Sequence, residues 1–170
     1  MQYLEESGLE VIFEIIAQYY SKKEEVPIYI EEHDGIQKLR GVFQGVRMDH
    51  FYPAIYDKIT YLFTQINKDH FFSNGNKRLA LVCATLFAVL NGYKFRSFTK
   101  EEYREKIKLL FPKFDNFEDD SMFNSEAYAL YNLSILVADS YKYIPQNDFD
   151  TLKAGVKLFF EFCLELEVMS

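Results

Sequence analysis

The feature that most restricts the fold is the stretch of residues 79–90, Leu-Ala-Leu-Val-Cys-Ala-Thr-Leu-Phe-Ala-Val-Leu, which is apolar on every side. A helix made from such a stretch has no polar face to turn toward water, so it belongs in the centre of a helical bundle. Asn91 and Gly92 follow directly, and this pair favours a helix end in the left-handed conformation. The chain is therefore predicted to build a bundle around this segment.

Further helices are predicted on both sides of the central one, because apolar residues recur there at helical spacing. Upstream they cover residues 3–20, about 36–46 and 52–68. Downstream, Thr99 and Glu102 form a capping box that starts a helix ending near Phe111, and two more helices are predicted near 122–143 and 150–168. The predicted class is all-α, as a single domain of residues 1–170 with its core at about 3–112 and additional C-terminal helices at about 120–168.

A short β-prone segment at residues 26–30 interrupts this helical pattern. Pro27 cannot donate a ladder hydrogen bond, so the segment is predicted to be an edge strand or an extended flap, as in a short β-hairpin. His33, Asp34 and Gly35 then supply a turn signal.

Composition narrows the classes of function. The net charge of -7 argues against a protein that coats nucleic acid, which would carry a basic face. The first residues lack a basic, signal-like start, and the longest apolar run is shorter than the roughly 20 residues that span a bilayer. We expect a cytoplasmic protein with no membrane contact, and Cys83 and Cys163 are predicted to be buried free thiols.

Residues 70–78, His-Phe-Phe-Ser-Asn-Gly-Asn-Lys-Arg, lie between two predicted helices and combine a base, a glycine turn and two cations. Gly75 tolerates the positive φ that a tight turn needs, and Asn76 lies where the next helix begins. The free N–H groups and positive end of a helix bind phosphate, and Lys77 and Arg78 would add fixed charge. A solvated turn between two helices is the alternative that residue types alone leave open.

The remaining residues of this loop have separate predicted roles. His70 carries an imidazole group, which could take a proton from an incoming hydroxyl group. Phe72 is predicted to turn into the core and anchor the loop. The loop as a whole therefore indicates chemistry on a phosphate.

The pattern His70-x-Phe72-x-Asn74-Gly75-Asn76-Lys77-Arg78 resembles the signature of the Fic/Doc (Fido) family, H-x-F-x-[D/E]-[G/A]-N-[G/K]-R. The resemblance covers roughly residues 26–95. It implies that His70 is the general base, that Gly75, Asn76 and Lys77 bind the anion, and that Arg78 grips a phosphate. It places the flap that holds the target as an added strand near residues 26–30, whose members are Pro27, Ile28, Tyr29 and Ile30.

The resemblance also implies substrates and partners. The family mostly transfers AMP from ATP to protein hydroxyls. Its Doc branch has lysine at the position of Lys77, transfers the γ-phosphate, modifies elongation factor Tu and is neutralised by an antitoxin. Lys77 therefore favours the Doc branch, with ATP or another nucleoside triphosphate as donor and a protein Ser, Thr or Tyr as acceptor.

Asn74 occupies the position of the family's acidic Mg²⁺ ligand. Its amide oxygen carries no charge and binds a hard cation more weakly than a carboxylate does. Two functions therefore stay open: a transferase, or a nucleotide- and phosphate-binding module with little catalysis. A purely structural helical domain is the third alternative.

Other candidate residues have simpler interpretations. His33 and His50 are predicted to be surface or core-edge histidines, Arg40 and Arg47 to form salt bridges, and the acidic cluster 118–120 to be a solvated loop. The Tyr/Phe stripe of residues 123–143 is predicted to be core, with its exposed remainder as a candidate surface for a homodimer or an antitoxin.

Overall fold

The computed structural model describes residues 1–20 and 27–167. Within them lie eight α-helices and a sheet of two short antiparallel strands, so the predicted all-α class is confirmed. No helix in these two segments is long and apolar enough to cross a membrane. Residues 21–25, predicted to close the first helix, and residue 26 of the predicted flap lie outside the described part of the chain.

The first three helices are α1 (Leu9–Tyr20), α2 (His33–Gly45) and α3 (Ile55–Lys68). A 3₁₀ turn at Glu6–Gly8 precedes α1, so the helix predicted from residue 3 begins six residues later. The predicted turn at residues 33–35 is instead the first turn of α2. Gly35 explains this difference, because it is buried against the backbone of Phe71 and serves close helix packing rather than a turn.

Helix α4 (Asn76–Leu90) is the predicted central helix. It packs against α1, α3 and α6, and its residues 79–84 are all buried. Burial of each large apolar side chain contributes on the order of 1.5–3 kcal/mol, so this helix is firmly placed. The helix lies between two left-handed glycines, Gly75 with φ 76° and Gly92 with φ 77°.

The C-terminal half contains α5 (Lys100–Leu110), α6 (Ser125–Ala138), α7 (Ser140–Tyr143) and α8 (Phe149–Cys163). The predicted capping box is present, since the Thr99 hydroxyl accepts the Glu102 N–H and the Glu102 carboxylate accepts the Thr99 N–H. Helix α6 is buried along residues 127–137. Of the predicted aromatic stripe, Tyr141 is the fully exposed member, so the stripe forms core rather than a continuous surface.

The two strands are β1 (Tyr93–Phe95) and β2 (Leu164–Leu166), which pair antiparallel. The helix predicted to reach residue 168 therefore ends at Cys163. The reason is non-local: the N–H of Arg96 donates to the Cys163 carbonyl and that of Glu167 to the Gly92 carbonyl, each at 2.8 Å. These two hydrogen bonds continue the pairing beyond both ends of β1 and β2.

The predicted edge strand at residues 26–30 is not a strand in its described part. Tyr29–Glu31 forms a 3₁₀ turn, in which the N–H of Glu31 donates to the Ile28 carbonyl at 2.9 Å. Tyr29 is buried, whereas Ile28 and Ile30 are exposed. The backbone hydrogen bonds are thus made locally, and the Tyr29 side chain is turned into the core.

The two glycines that bound α4 allow a matched test of packing at its N-terminus. Both have positive φ, so alanine at either position costs about 1–2 kcal/mol in backbone strain. An alanine Cβ at Gly75 would also lie 2.1 Å from the Tyr29 hydroxyl, while at Gly92 no described atom lies within 4 Å. Gly75→Ala should therefore lower the free energy of unfolding, measured by urea denaturation, clearly more than Gly92→Ala. Equal losses would show that Tyr29 does not restrain the turn.

The two cysteines provide a test of the core. Cys83 and Cys163 are free and completely buried, and burial raises the pKa of both thiols far above its ordinary value. Because the thiolate is the reactive species, neither should react with an aromatic disulfide reagent in the native protein at pH 8. Both should react in 6 M guanidinium chloride (about 6 M is fully denaturing for most domains). Rapid reaction of one thiol without denaturant would contradict the packing of α4 or α8.

Candidate functional site

The loop of residues 69–75 joins the end of α3 to the start of α4. Helix α3 ends at Lys68, and His70 follows two residues later with φ 44°. A left-handed conformation is uncommon for a residue other than glycine and costs about 1–2 kcal/mol. The His70 side chain is exposed, so this residue lies beyond the helix end, on the open side of the turn.

Asn76, the first residue of α4, holds the loop closed through its side chain. Its Nδ2 donates to the Phe72 carbonyl at 2.7 Å, and its Oδ1 accepts the Phe72 N–H at 3.0 Å. The side chain is buried at 8% exposure, and both ends of the amide are used. Asn76 was predicted to bind the phosphate. Its side chain orders the loop, so the group of Asn76 that could bind a ligand is its backbone N–H.

Phe72 lies in the core, as predicted, at 3% exposure. Its ring makes an edge contact with Tyr29 at 4.9 Å between ring centroids, and Tyr29 stacks on Phe13 at 4.6 Å. Gly35 of α2 lies directly beneath, where an added Cβ would come within 2.5 Å of the Phe71 carbonyl oxygen. The loop is therefore fixed against both α1 and α2.

Two residues of the 27–32 segment hold the outer side of the loop. The Tyr29 hydroxyl donates to the Gly75 carbonyl at 3.2 Å. The Glu32 carboxylate accepts the Ser73 N–H at 2.8 Å and the Ser73 hydroxyl at 2.5 Å. Part of the predicted flap thus supports the loop, while Ile28 and Ile30 are turned to solvent.

A cavity of about 210 Å³ opens where the loop meets the N-terminus of α4. It brings together His70 and Lys77 with the turn between them, and Asn67 of α3 forms part of its wall. Arg78, also predicted to bind phosphate, is buried at 3% exposure and is not among the described lining residues. The lining residues are Asn67, His70, Ser73, Asn74, Gly75, Asn76, Lys77 and Ala138.

The electrostatics of this cavity favour an anion. The first turn of α4 has no acidic residue, and no described lining residue is acidic. A helix leaves its first N–H groups without an intrahelical acceptor, and its N-terminus carries a partial positive charge. Within the described segments the Lys77 ammonium forms no salt bridge, so its charge is available to the cavity.

The same donor set does not fit Mg²⁺. The Asn74 Oδ1 accepts the Gly75 N–H at 2.6 Å, and both oxygens of the neighbouring Glu32 carboxylate are bonded to Ser73. In the described part of the chain no group of three His, Cys, Asp or Glu residues could hold a metal ion. Magnesium prefers carboxylate oxygens in octahedral geometry, and the described residues do not supply them.

The arrangement therefore combines two chemical capabilities in one small volume. Lys77 and the N-terminus of α4 can neutralise the charge of a phosphate, and His70 can accept a proton from a reactant that approaches from the solvent side. These groups are held by Asn76, Glu32, Gly35 and Tyr29. A plain solvated turn would not require so many restraints.

Sequence reasoning did not single out Glu32, Gly35 or Asn67. Gly35 had been assigned to a turn, and the other two lie in segments without a motif. Asn67 lies in the last turn of α3, within the helix predicted at residues 52–68, and no motif marks it. Glu32 could be recognised only in the folded structure, because Ser73, which it contacts, lies far from it in sequence.

Other candidates lie outside the cavity. His33 and His50 are exposed. Arg40 pairs with Glu6 and Arg47 with Glu5, as the salt-bridge interpretation predicts. These pairs line a larger cavity of about 530 Å³ between the N-terminal segment and α2, where each guanidinium group is already paired. In the acidic cluster, Asp119 is paired with Lys100.

Comparison with known proteins agrees with this geometry. No curated protein and no solved structure gives a significant match to the chain. Residues 5–88 match the family model of the Fic/DOC family. The match begins upstream of α1, which the motif resemblance had not included, and it contains the loop, Asn67 and most of α4. The loop, Asn67 and Lys77 all lie within the matched residues, so the part of the chain that builds this site is similar to the Fic/DOC family.

Proposed function

We propose that the protein transfers a phosphate or AMP group from ATP, or another nucleoside triphosphate, to a hydroxyl group of a protein. The observation that carries this proposal is the shared cavity of His70, Lys77 and the α4 N-terminus. Members of the Fic/DOC family are in general transferases of such groups onto proteins.

Each group has a proposed role in the transfer. The triphosphate lies against the α4 N-terminus, with Lys77 neutralising its charge. For phosphate transfer, the target hydroxyl oxygen forms a bond to the γ-phosphorus while the bond from that phosphorus to the bridging oxygen breaks. ADP leaves with the electron pair, and His70 takes the hydroxyl proton. For AMP transfer the attack is at the α-phosphorus, and pyrophosphate leaves.

The fixed loop supports this mechanism, because phosphoryl transfer depends mainly on positioning and charge neutralisation. The hydrogen bonds of Asn76 to Phe72 and of Ser73 to Glu32 restrain the backbone on both sides of Asn74. His70 and Lys77 are then held at opposite ends of one short turn. A target hydroxyl would reach them from the exposed side of His70.

A second candidate is a phosphate- or nucleotide-binding module with little catalysis. The observation that favours it is the lack of a carboxylate among the described lining residues, together with the engaged Asn74 Oδ1. Without a firmly held cation, less of the charge that develops on the transferred group is neutralised. The α4 N-terminus and Lys77 would still bind a phosphate.

The proposed partners follow from the same family. Within the transferase proposal, elongation factor Tu is the first protein substrate to assay, and a toxin neutralised by an antitoxin is the proposed biological setting. The reading frames next to the gene would reveal a candidate antitoxin. A homodimer is a further proposal, which light scattering of the purified protein would test.

His70→Ala should strongly slow transfer and retain binding. Loss of the proton acceptor is expected to lower the transfer rate by about 10²–10⁴-fold, while Lys77 and the α4 N-terminus remain. Transfer would be followed with ATP radiolabelled at the α or the γ position, which also shows which group moves, and binding by calorimetry. His50→Ala, another exposed histidine, is the matched control and should be fully active. Unchanged transfer by His70→Ala would refute the base role.

Asn74→Asp separates the two candidate functions. An aspartate keeps an acceptor for the Gly75 N–H and adds a charged ligand for Mg²⁺, so transfer should rise by roughly tenfold or more when Mg²⁺ is present. Asn74→Ser, which stays neutral, should not show this rise. Label transfer by Asn74→Asp alone would identify the natural protein as the binding module. Transfer by the natural protein, with no gain in the aspartate variant, would mean that metal binding does not limit it.

A further inference from the structure

One wall of the cavity comes from the C-terminal half of the chain. Ala138, the last residue of α6, is among the described lining residues, and it is half-buried, so part of it is accessible. The other described lining residues all lie within residues 67–77, at the end of α3, in the loop and at the start of α4. Ala138 also lies outside residues 5–88, which match the family model. The cavity therefore has a wall that neither the motif nor the family match includes.

The end of α6 is tied to α3 and α4 on both sides of Ala138. One turn earlier, the hydroxyl group of Ser134 donates to the Lys77 carbonyl at 3.4 Å. Two residues later, the Lys68 ammonium donates to the hydroxyl oxygen of Ser140 at 2.9 Å. Both serines are buried, so these contacts belong to the packed interior. The wall at Ala138 is therefore fixed relative to the loop, as a residue that selects ligands by size must be.

The wall at Ala138 offers nothing that attracts a phosphate. Its methyl group has no hydrogen-bond donor, and the end of α6 carries the partial negative charge of a helix C-terminus. The nearby Lys68 ammonium is used by Ser140. The Lys142 ammonium is paired with the Asp139 carboxylate at 3.0 Å, and neither lysine is among the described lining residues. An uncharged part of the ligand is therefore the better match for this wall.

The groups that do attract a phosphate are Lys77 and the first N–H groups of α4. We infer that Ala138 is a specificity residue of this site: the phosphate lies at Lys77, and the sugar joined to it packs against the Ala138 methyl group. This inference rests on the proposed function. In a cavity of about 210 Å³ a small side chain leaves room for the sugar, and a larger one would exclude it. The site then takes a nucleotide because residue 138 is small.

Calorimetric titration of the whole chain with ADP and with pyrophosphate tests this inference, because pyrophosphate is a diphosphate without a sugar. Ala138→Leu adds an isopropyl group to the wall, so its affinity for ADP should fall by about tenfold or more. Its affinity for pyrophosphate should stay within about twofold of that of the natural protein. Leucine is a good helix former, and a half-buried helix end tolerates it.

Two further variants are the controls. Ala154→Leu makes the same change at an exposed alanine of α8, outside the described cavity lining, and should leave both affinities unchanged. Ala138→Ser keeps the wall small and should retain the binding of ADP. Helical circular dichroism would show that each variant is folded.

A measurement on the natural protein covers the case in which Ala138→Leu does not fold. The Ala138 methyl resonance in the NMR spectrum can be assigned by its loss in Ala138→Ser. Saturating ADP should shift this resonance clearly more than saturating pyrophosphate does, since the sugar contacts the methyl group. Equal shifts with the two probes would overturn the inference.

The remaining outcomes separate the inference from the function on which it rests. If Ala138→Leu weakens both probes equally, the phosphate itself lies beside Ala138 and the inference is wrong. If a folded Ala138→Leu binds ADP as the natural protein does, the sugar lies elsewhere and the inference is again wrong. In both cases the anion site still stands. If neither probe binds the natural protein, both the inference and the proposed function are overturned.

Discussion

The site depends on the pair of hydrogen bonds between the Asn76 side chain and the backbone of Phe72. A buried hydrogen bond contributes about 0.5–1.5 kcal/mol, so the pair is comparable to the backbone strain of the left-handed His70 in the same loop. It closes the turn tightly enough that His70 and Lys77 line one cavity. Asn76, although part of the motif, thus acts first as a structural clamp.

The clamp works because α4 is itself immobilised. The helix is surrounded by α1, α3 and α6, so its N-terminus has a defined position and direction. The Glu32 carboxylate and the Tyr29 hydroxyl then hold the loop from outside, through Ser73 and Gly75. A site that must neutralise the charge of a phosphate gains from such rigidity, since no reorganisation is needed when the ligand binds.

Much of the site could be predicted from the sequence, because its central residues are contiguous. The positive φ of Gly75, the burial of Phe72 and the helix start at Asn76 all follow from local rules. Glu32 and Gly35 could not be found in this way. Their roles arise from contacts with residues far away in sequence, and such contacts leave no local pattern.

The sequence by itself determined the helical class, the buried central helix and the loop that precedes it, because hydrophobic periodicity and glycine conformations are local properties. Only the tertiary structure decided that residues 29–31 form a turn rather than a strand, that residues 164–166 leave the helix to pair with residues 93–95, and that Arg78 is buried while Lys77 lines the cavity. Each of these outcomes depends on a partner that the chain meets only after folding.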